Sequence, residues 1–291
     1  MAWTFERVAA GGKGPATGVA WDGSGVLFAL PDETVIRRYD PASGAVSDFR
    51  RYTGRVNGLA VAPGGSVFAA QESGRRVIEL LPDGSAQVTA TRFAGAIHNF
   101  PAGLAVDRQQ RVWFCDSPTG VQVFGPRIFP LLEPAAVMRI EKDDRRQWVM
   151  RRVTADTVAP RAVLLSQDER LLFVGEGEVG RAGPRELRAY PLRPDGSVGP
   201  YRVLHRFGED HTGVHRGIEG LCLREDGWVV GCGGAPGVGP GPSVYLFTPE
   251  GRLAQVHALP GECLPMHCAV GGGSLYVSGS DGHLYRSRMD A

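Results

Sequence analysis

Asn57-Gly-Leu-Ala-Val-Ala-Pro-Gly-Gly-Ser-Val-Phe-Ala-Ala70 is two short apolar runs separated by Pro63-Gly64-Gly65. Runs of this length, rich in small and β-branched residues and split by a turn where Gly supplies positive φ, read as a β-hairpin. Pro101-Ala-Gly-Leu-Ala-Val-Asp-Arg-Gln-Gln-Arg-Val-Trp-Phe114 repeats the pattern, and further copies begin near Thr17, Pro160, Ile218 and Met266. Each hairpin is followed by a more polar strand pair, such as Arg75-Arg-Val-Ile-Glu-Leu80. The starts fall about 40 to 60 residues apart, the interval of a four-stranded propeller blade and longer than leucine-rich or ankyrin repeats. The sequence therefore predicts an all-β protein, a six-bladed β-propeller with four-stranded blades, forming one domain over residues 1–291.

The last repeat runs out soon after His283-Leu-Tyr-Arg286, before a fourth strand. Trp3-Thr-Phe-Glu-Arg-Val8 precedes the first repeat and has strand character. It is expected to supply the missing outer strand and close the ring.

Composition narrows the function. Net charge is +1, and the 32 Lys and Arg are dispersed, so no basic stripe for nucleic acid is visible. No stretch approaches the roughly 20 apolar residues that span a bilayer, and the N-terminus lacks a basic segment followed by an apolar run. A cytoplasmic protein acting on a small molecule is expected, without nucleic-acid or membrane partners; the oligomeric state is not legible. The five cysteines (Cys115, Cys222, Cys232, Cys263, Cys268) lack CxxC spacing and mostly sit in apolar alternation, which suits buried thiols rather than a zinc site.

Propeller topology also says which residues meet. Inner-strand starts and second-strand ends share one face, so the pocket there receives Thr17, Asn57, Ala102, Arg161, Glu219 and His267 from the first set and Gln71, Glu72, Asp116 and Glu176 from the second. A guanidinium, several carboxylates and an imidazole are more polarity than a packing core tolerates unless they pair or meet a ligand. Each also has a structural reading: Arg161 neutralising Glu219 or Glu176, His267 as a hydrogen-bonded core histidine, Asp116 and Glu176 as strand-end turn residues, Asn57 as a turn cap. Two longer connections join the same face. Ser117–Pro134 carries Val121, Val123, Phe124, Ile128, Phe129, Leu131 and Leu132, a candidate lid or a cover for blade edges. Arg206–Gly217 carries Glu209, Asp210, His211 and His215; its HxxxH spacing has ligand logic on a helix, and this segment reads as a Gly-containing loop.

Asn57-Gly-Leu-Ala-Val with Gln71-Glu-Ser-Gly-Arg-Arg-Val, His98-Asn-Phe-Pro-Ala-Gly-Leu-Ala-Val-Asp and Val112-Trp-Phe-Cys-Asp-Ser-Pro resembles the gluconolactonase and regucalcin (senescence marker protein) family over nearly the whole chain. Diisopropyl-fluorophosphatase and the paraoxonases are more distant relatives of similar design. The resemblance implies a six-bladed propeller, a divalent cation, often calcium, on its axis, and hydrolysis of sugar lactones. It also implies a ligand set of a first-blade Glu, Asn in two middle blades and an Asp in the fifth. Residue by residue the set is degraded. Glu-Gly-Pro has become Thr17-Gly-Val, Pro-Asn-Asp has become Pro101-Ala-Gly, Pro-Asn-Gly has become Pro160-Arg-Ala, and the Asp position holds Glu219.

The expectation is a hydrolase-like enzyme acting on a small lactone or ester-type substrate, metal-independent, with Arg161 in place of the family cation. Arg161, Glu219, His267 and Asp116 are the catalytic candidates, and Thr17, Asn57, Glu176 and His215 the substrate-binding ones. No cofactor is expected. The alternatives are a calcium-dependent lactonase, with calcium or another divalent cation on ligands shifted to Glu219, Asp116, Glu176 and Asn57, and a non-enzymatic propeller that binds a small ligand.

Overall fold

A computed structural model describes residues 3–118, 130–177, 183–208 and 217–289. Six four-stranded antiparallel sheets follow one another along the chain as the blades of a propeller. Their innermost strands are Thr17–Trp21, Val56–Val61, Phe100–Val106, Pro160–Leu165, Ile218–Leu223 and Pro265–Gly271, matching the six predicted starts. An additional two-stranded ribbon, Arg92–Phe93 with Ala96–Ile97, leads into blade III and was not visible as a separate element in the sequence.

The core is divided among the blade interfaces. Six apolar clusters each combine side chains of two neighbouring blades, as where Val77 and Phe68 of blade II meet Phe114 and Met138 of blade III. Alternation explains this: each sheet buries both faces, one against the preceding blade and one against the next, so period-2 strands place apolar residues on either side. Near the axis the strands crowd. A Cβ added at Gly58 would lie 2.3 Å from the carbonyl oxygen of Ala102, and one at Gly103 would lie 2.8 Å from that of Arg161. Neither glycine is held there by its backbone angles; it is the close approach of the next blade that leaves no room for a side chain.

The ring closes as the sequence predicts. Glu6–Ala9 pairs antiparallel with Leu284–Arg288, with Glu6 opposite Arg286 and Arg7 opposite Tyr285, so the chain's first strand becomes the outer strand of its last blade. Phe5 is buried against Val277 and Tyr285. The Trp3 ring stacks on His257 of blade V at 4.4 Å, and its backbone N–H donates to His257 Nδ1 at 3.2 Å, tying the strap to a second blade. Among the described residues no helix is long and apolar enough to cross a membrane.

Candidate functional site

Every inner strand carries a register irregularity within its first residues, between Thr17 and Val19, Val56 and Gly58, Pro101 and Leu104, Pro160 and Ala162, Ile218 and Gly220, and Pro265 and Cys268. A β-bulge leaves a residue out of the ladder and re-aims its side chain. In five blades the residues skipped include Asn57, Ala102, Arg161, Glu219 and His267, and all five line one cavity of about 170 Å³ on the axis, together with Thr17. The site residues are thus gathered by one local device repeated around the ring.

Across the cavity wall, the Arg161 guanidinium donates from Nη2 to Glu219 Oε2 at 3.0 Å and from Nε to the same oxygen at 3.2 Å. Glu219 is 3% exposed and Arg161 19%. A carboxylate so buried needs this partner, because an uncompensated charge there would cost several kcal/mol, on the order of 3–5. Thr17 Oγ1 donates to the Val56 carbonyl at 3.0 Å, bridging blades I and II at the rim. His267 lines this cavity and also a second one of about 280 Å³ farther along the axis, walled by the later residues of the inner strands.

Arg55 also lines the site, and nothing in the sequence reading singled it out. It precedes the second inner strand with φ of 55°, a left-handed conformation that is costly for a long side chain. Its carbonyl accepts the Glu72 backbone N–H at 3.0 Å, its Nε reaches Glu72 Oε2 at 3.3 Å, and its Nη1 bonds Asp32. Glu72 lines the cavity too, so two Arg–Glu pairs face the axis. The available signal was positional: Gly54-Arg55 closes the turn entering an inner strand, beside the cavity mouth.

Three expected pocket residues, Gln71, Asp116 and Glu176, point elsewhere, which corrects their placement; Gln71 is buried with its Nε2 donating to the Thr53 carbonyl at 2.7 Å and its Oε1 accepting from Arg76 Nε at 2.5 Å. Asp116 is buried, with Oδ1 3.2 Å from His98 Nδ1 and Oδ2 accepting the Asn99 backbone N–H at 2.9 Å. Glu176 is also buried, and its Oε1 accepts the backbone N–H groups of Val158 and Ala159 at 2.7 and 2.8 Å. None of the three lines the axial cavity. The physical reason is geometric: these second-strand side chains project into the spaces between blades, whereas the bulged inner strands aim theirs at the axis, joined there by Arg55 and Glu72 from the turns beside them. Both carboxylates instead anchor the chain entering an inner strand, Glu176 immediately before Arg161. His215, with Glu209, Asp210 and His211, lies outside the described residues, as do residues 119–129 of the expected lid. The returning end of that connection is fixed: Asn99 Nδ2 donates to the Leu132 carbonyl at 2.8 Å and Leu132 N–H to Asn99 Oδ1 at 2.7 Å.

Burial holds the Glu176 carboxyl above its ordinary pKa of 4.5, against the opposing pull of the Ala159 and Val158 N–H groups and of Arg188. The folded state therefore binds a proton more tightly than the unfolded chain. The contribution is fully present below the unfolded pKa and is lost as pH rises through the raised one. Stability should accordingly fall as pH is raised from about 4.5 upward, and Glu176→Gln should flatten that slope in urea titrations at successive pH values.

A family-model comparison matches residues 15–280 to the SMP-30/gluconolactonase/LRE-like region. The chain belongs to this family. Among solved structures, a gluconolactonase from Xanthomonas campestris is similar at 22% identity and TM-score 0.80, covering 98% of this chain and 89% of that one. The calcium-binding protein regucalcin from Agrobacterium tumefaciens is similar at 14% identity and TM-score 0.74, covering 99% and 93%. A catalytically inactive virginiamycin B lyase from Staphylococcus aureus, solved with quinupristin, is similar at 10% identity and TM-score 0.63, covering 99% and 100%. At these identities the likeness is one of fold. No curated protein matches the sequence.

The cation that the family resemblance implies does not fit the residues present. Calcium takes about six to eight oxygen ligands. The bulge positions instead offer Asn57, Ala102, Arg161, Glu219 and His267, and the carboxylate among them is engaged by a guanidinium 3.0 Å away. The other cavity carboxylate, Glu72, is engaged by Arg55. Among the described residues no three His, Cys, Asp or Glu side chains converge as a metal site. An arginine beside a divalent cation would repel it.

Proposed function

We propose that this protein is a lactonase-like hydrolase of its family, acting on a small lactone or ester in the axial cavity, with the Arg161 guanidinium in the role a metal cation plays elsewhere. The observation that carries this reading is the Arg161–Glu219 pair at two bulge positions facing the same cavity as His267. In hydrolysis, water adds to the carbonyl carbon, negative charge develops on the carbonyl oxygen, and the ring oxygen departs with a proton. A guanidinium fixed by a buried carboxylate is preorganised to stabilise the oxyanion, since it need not be reoriented as charge develops. His267 is assigned as the base that takes the proton from water and returns it to the leaving oxygen. Asn57 and Thr17 are assigned to substrate hydroxyl groups, and the volume, about 170 Å³, suits a small ligand rather than a polymer.

The test is hydrolysis of a series of aldonolactones and simple aryl esters by purified protein, followed by acid release, before and after treatment with a chelator. Turnover that survives chelation is the expected result. Activity abolished by chelator and restored by calcium would replace this reading with the cation-dependent one. Ligand binding without turnover of any member would leave a binding propeller.

A further inference from the structure

Cys222, Cys232 and Cys268 come together at the interface of blades V and VI, away from the polar cavity. In the blade V hairpin Cys232 stands opposite Gly220 and Val230 opposite Cys222, so Cys222 and Cys232 project from the same face of the sheet, toward Cys268 on the inner strand of blade VI. The Cys268 thiol donates to the carbonyl of Val230, the residue paired with Cys222, at 3.8 Å, so its side chain reaches into the space between the two blades on the face that bears the other two thiols. The two inner strands approach very closely just above: a Cβ on Gly220 would sit 2.6 Å from both the Met266 carbonyl oxygen and the His267 Cα. Cys222 follows that contact by two residues and Cys268 by one, so the two cysteines stand on facing inner strands beside their point of nearest approach.

Access distinguishes the pair from the third thiol. Cys222 and Cys268 line the 280 Å³ axial cavity, whereas Cys232, on the second strand, is fully buried behind them. A cavity edged by inner-strand backbone admits water, and a peroxide is little larger. Burial opposes ionisation at Cys268, yet hydrogen bonds from Cys222 and Cys232 lower its pKa. Burial raises those of Cys222 and Cys232 well above the ordinary range. Cys268 is the sulfur that faces the other two across the blade interface, and its lowered pKa agrees with a reacting thiolate there.

We infer that Cys268 and Cys222 form an oxidation site, joined by hydrogen peroxide into a disulfide that staples the inner strands of blades V and VI together. Cys268 attacks peroxide, breaking the O–O bond to give a sulfenic acid and hydroxide. Cys222 then attacks the sulfenic sulfur, the S–S bond forms, and the oxygen leaves as water after taking up a proton. Two thiols are oxidised by two electrons in total and one peroxide is reduced to two waters. The staple would join the strand bearing Glu219 to the residue after His267.

The experiment treats the folded full-length protein with hydrogen peroxide, quenches with an alkylating reagent, and reads intact mass and the cross-linked peptides. The expected result is a monomer lighter by about 2 Da before alkylation, with titratable thiols reduced from five to three, a peptide linking Cys222 to Cys268, and reversal by dithiothreitol. Cys232→Ala should keep the link and Cys222→Ser should abolish it. The wild-type peptide map decides the matter even if a variant folds poorly. A Cys232–Cys268 link, sulfinic acid at Cys268, or five thiols remaining would each overturn the assignment.

Discussion

Arg161→Ala should lower kcat/KM on the best lactone or ester substrate by at least about 100-fold, the loss of roughly 2.7 kcal/mol of transition-state stabilisation expected when a preorganised oxyanion donor is removed. The single substitution also strands the Glu219 carboxylate, which is 3% exposed, so lost folding could imitate lost catalysis. Arg161→Gln combined with Glu219→Gln separates the two. It removes both charges while leaving side chains that can hydrogen-bond to one another, and it should fold with an unchanged circular dichroism spectrum. Activity should still fall by the same order. A double variant that turns over substrate at the wild-type rate would mean that the pair merely braces blades IV and V. His267→Ala, which leaves this pair intact, should reduce kcat more than it changes KM if the imidazole moves a proton in the transition state.

Removal of residues 1–9 is expected to have the largest effect on stability. It strips the outer strand from the last blade, exposes the edge at Leu284–Arg288 and uncovers the cluster that holds Phe5. Phe5 alone, 6% exposed, contributes on the order of 1.5–3 kcal/mol by burial. The lost ladder bonds add about 1 kcal/mol each. A total near 5 kcal/mol corresponds to a fall in Tm of about 8 °C for a chain of this size. The bare edge should also promote self-association, visible as concentration-dependent light scattering. A truncated protein with the Tm of the full chain would show that the ring does not depend on this closure.

The two Arg–Glu pairs at the axis clarify how a fold conserves its frame while its centre changes. At the bulge positions, Arg161 and Glu219 occupy neighbouring blades, and their attraction supplies internally the neutralisation that a carboxylate-rich centre would draw from a cation. Arg55 does the same for Glu72 while reaching Asp32 across the mouth. The propeller itself needs neither, since its blades are held by the six apolar interfaces between them.

What the sequence by itself determined was the number of blades, the strand that begins each, the N-terminal closure, and the inner-strand positions Thr17, Asn57, Arg161, Glu219 and His267 at the cavity. These are local properties: period-2 alternation, Gly and Pro at tight turns, and a repeat whose spacing counts itself. Only the tertiary structure decided which way the polar side chains turn and whom they meet. Asp116 and Glu176 have the same sequence signature as cavity residues, a carboxylate ending an apolar strand, but backbone N–H groups lie in the space between blades, and the carboxylates turn to satisfy them. Arg55 and Asp32, 23 residues apart, meet because two loops of adjacent blades converge over the mouth, a contact no local pattern contains. The bulges are the deciding device. One or two residues omitted from each ladder leave no mark in the sequence, yet in five of the six inner strands they turn a side chain from the sheet face to the axis, and so select Asn57, Ala102, Arg161, Glu219 and His267 for the site.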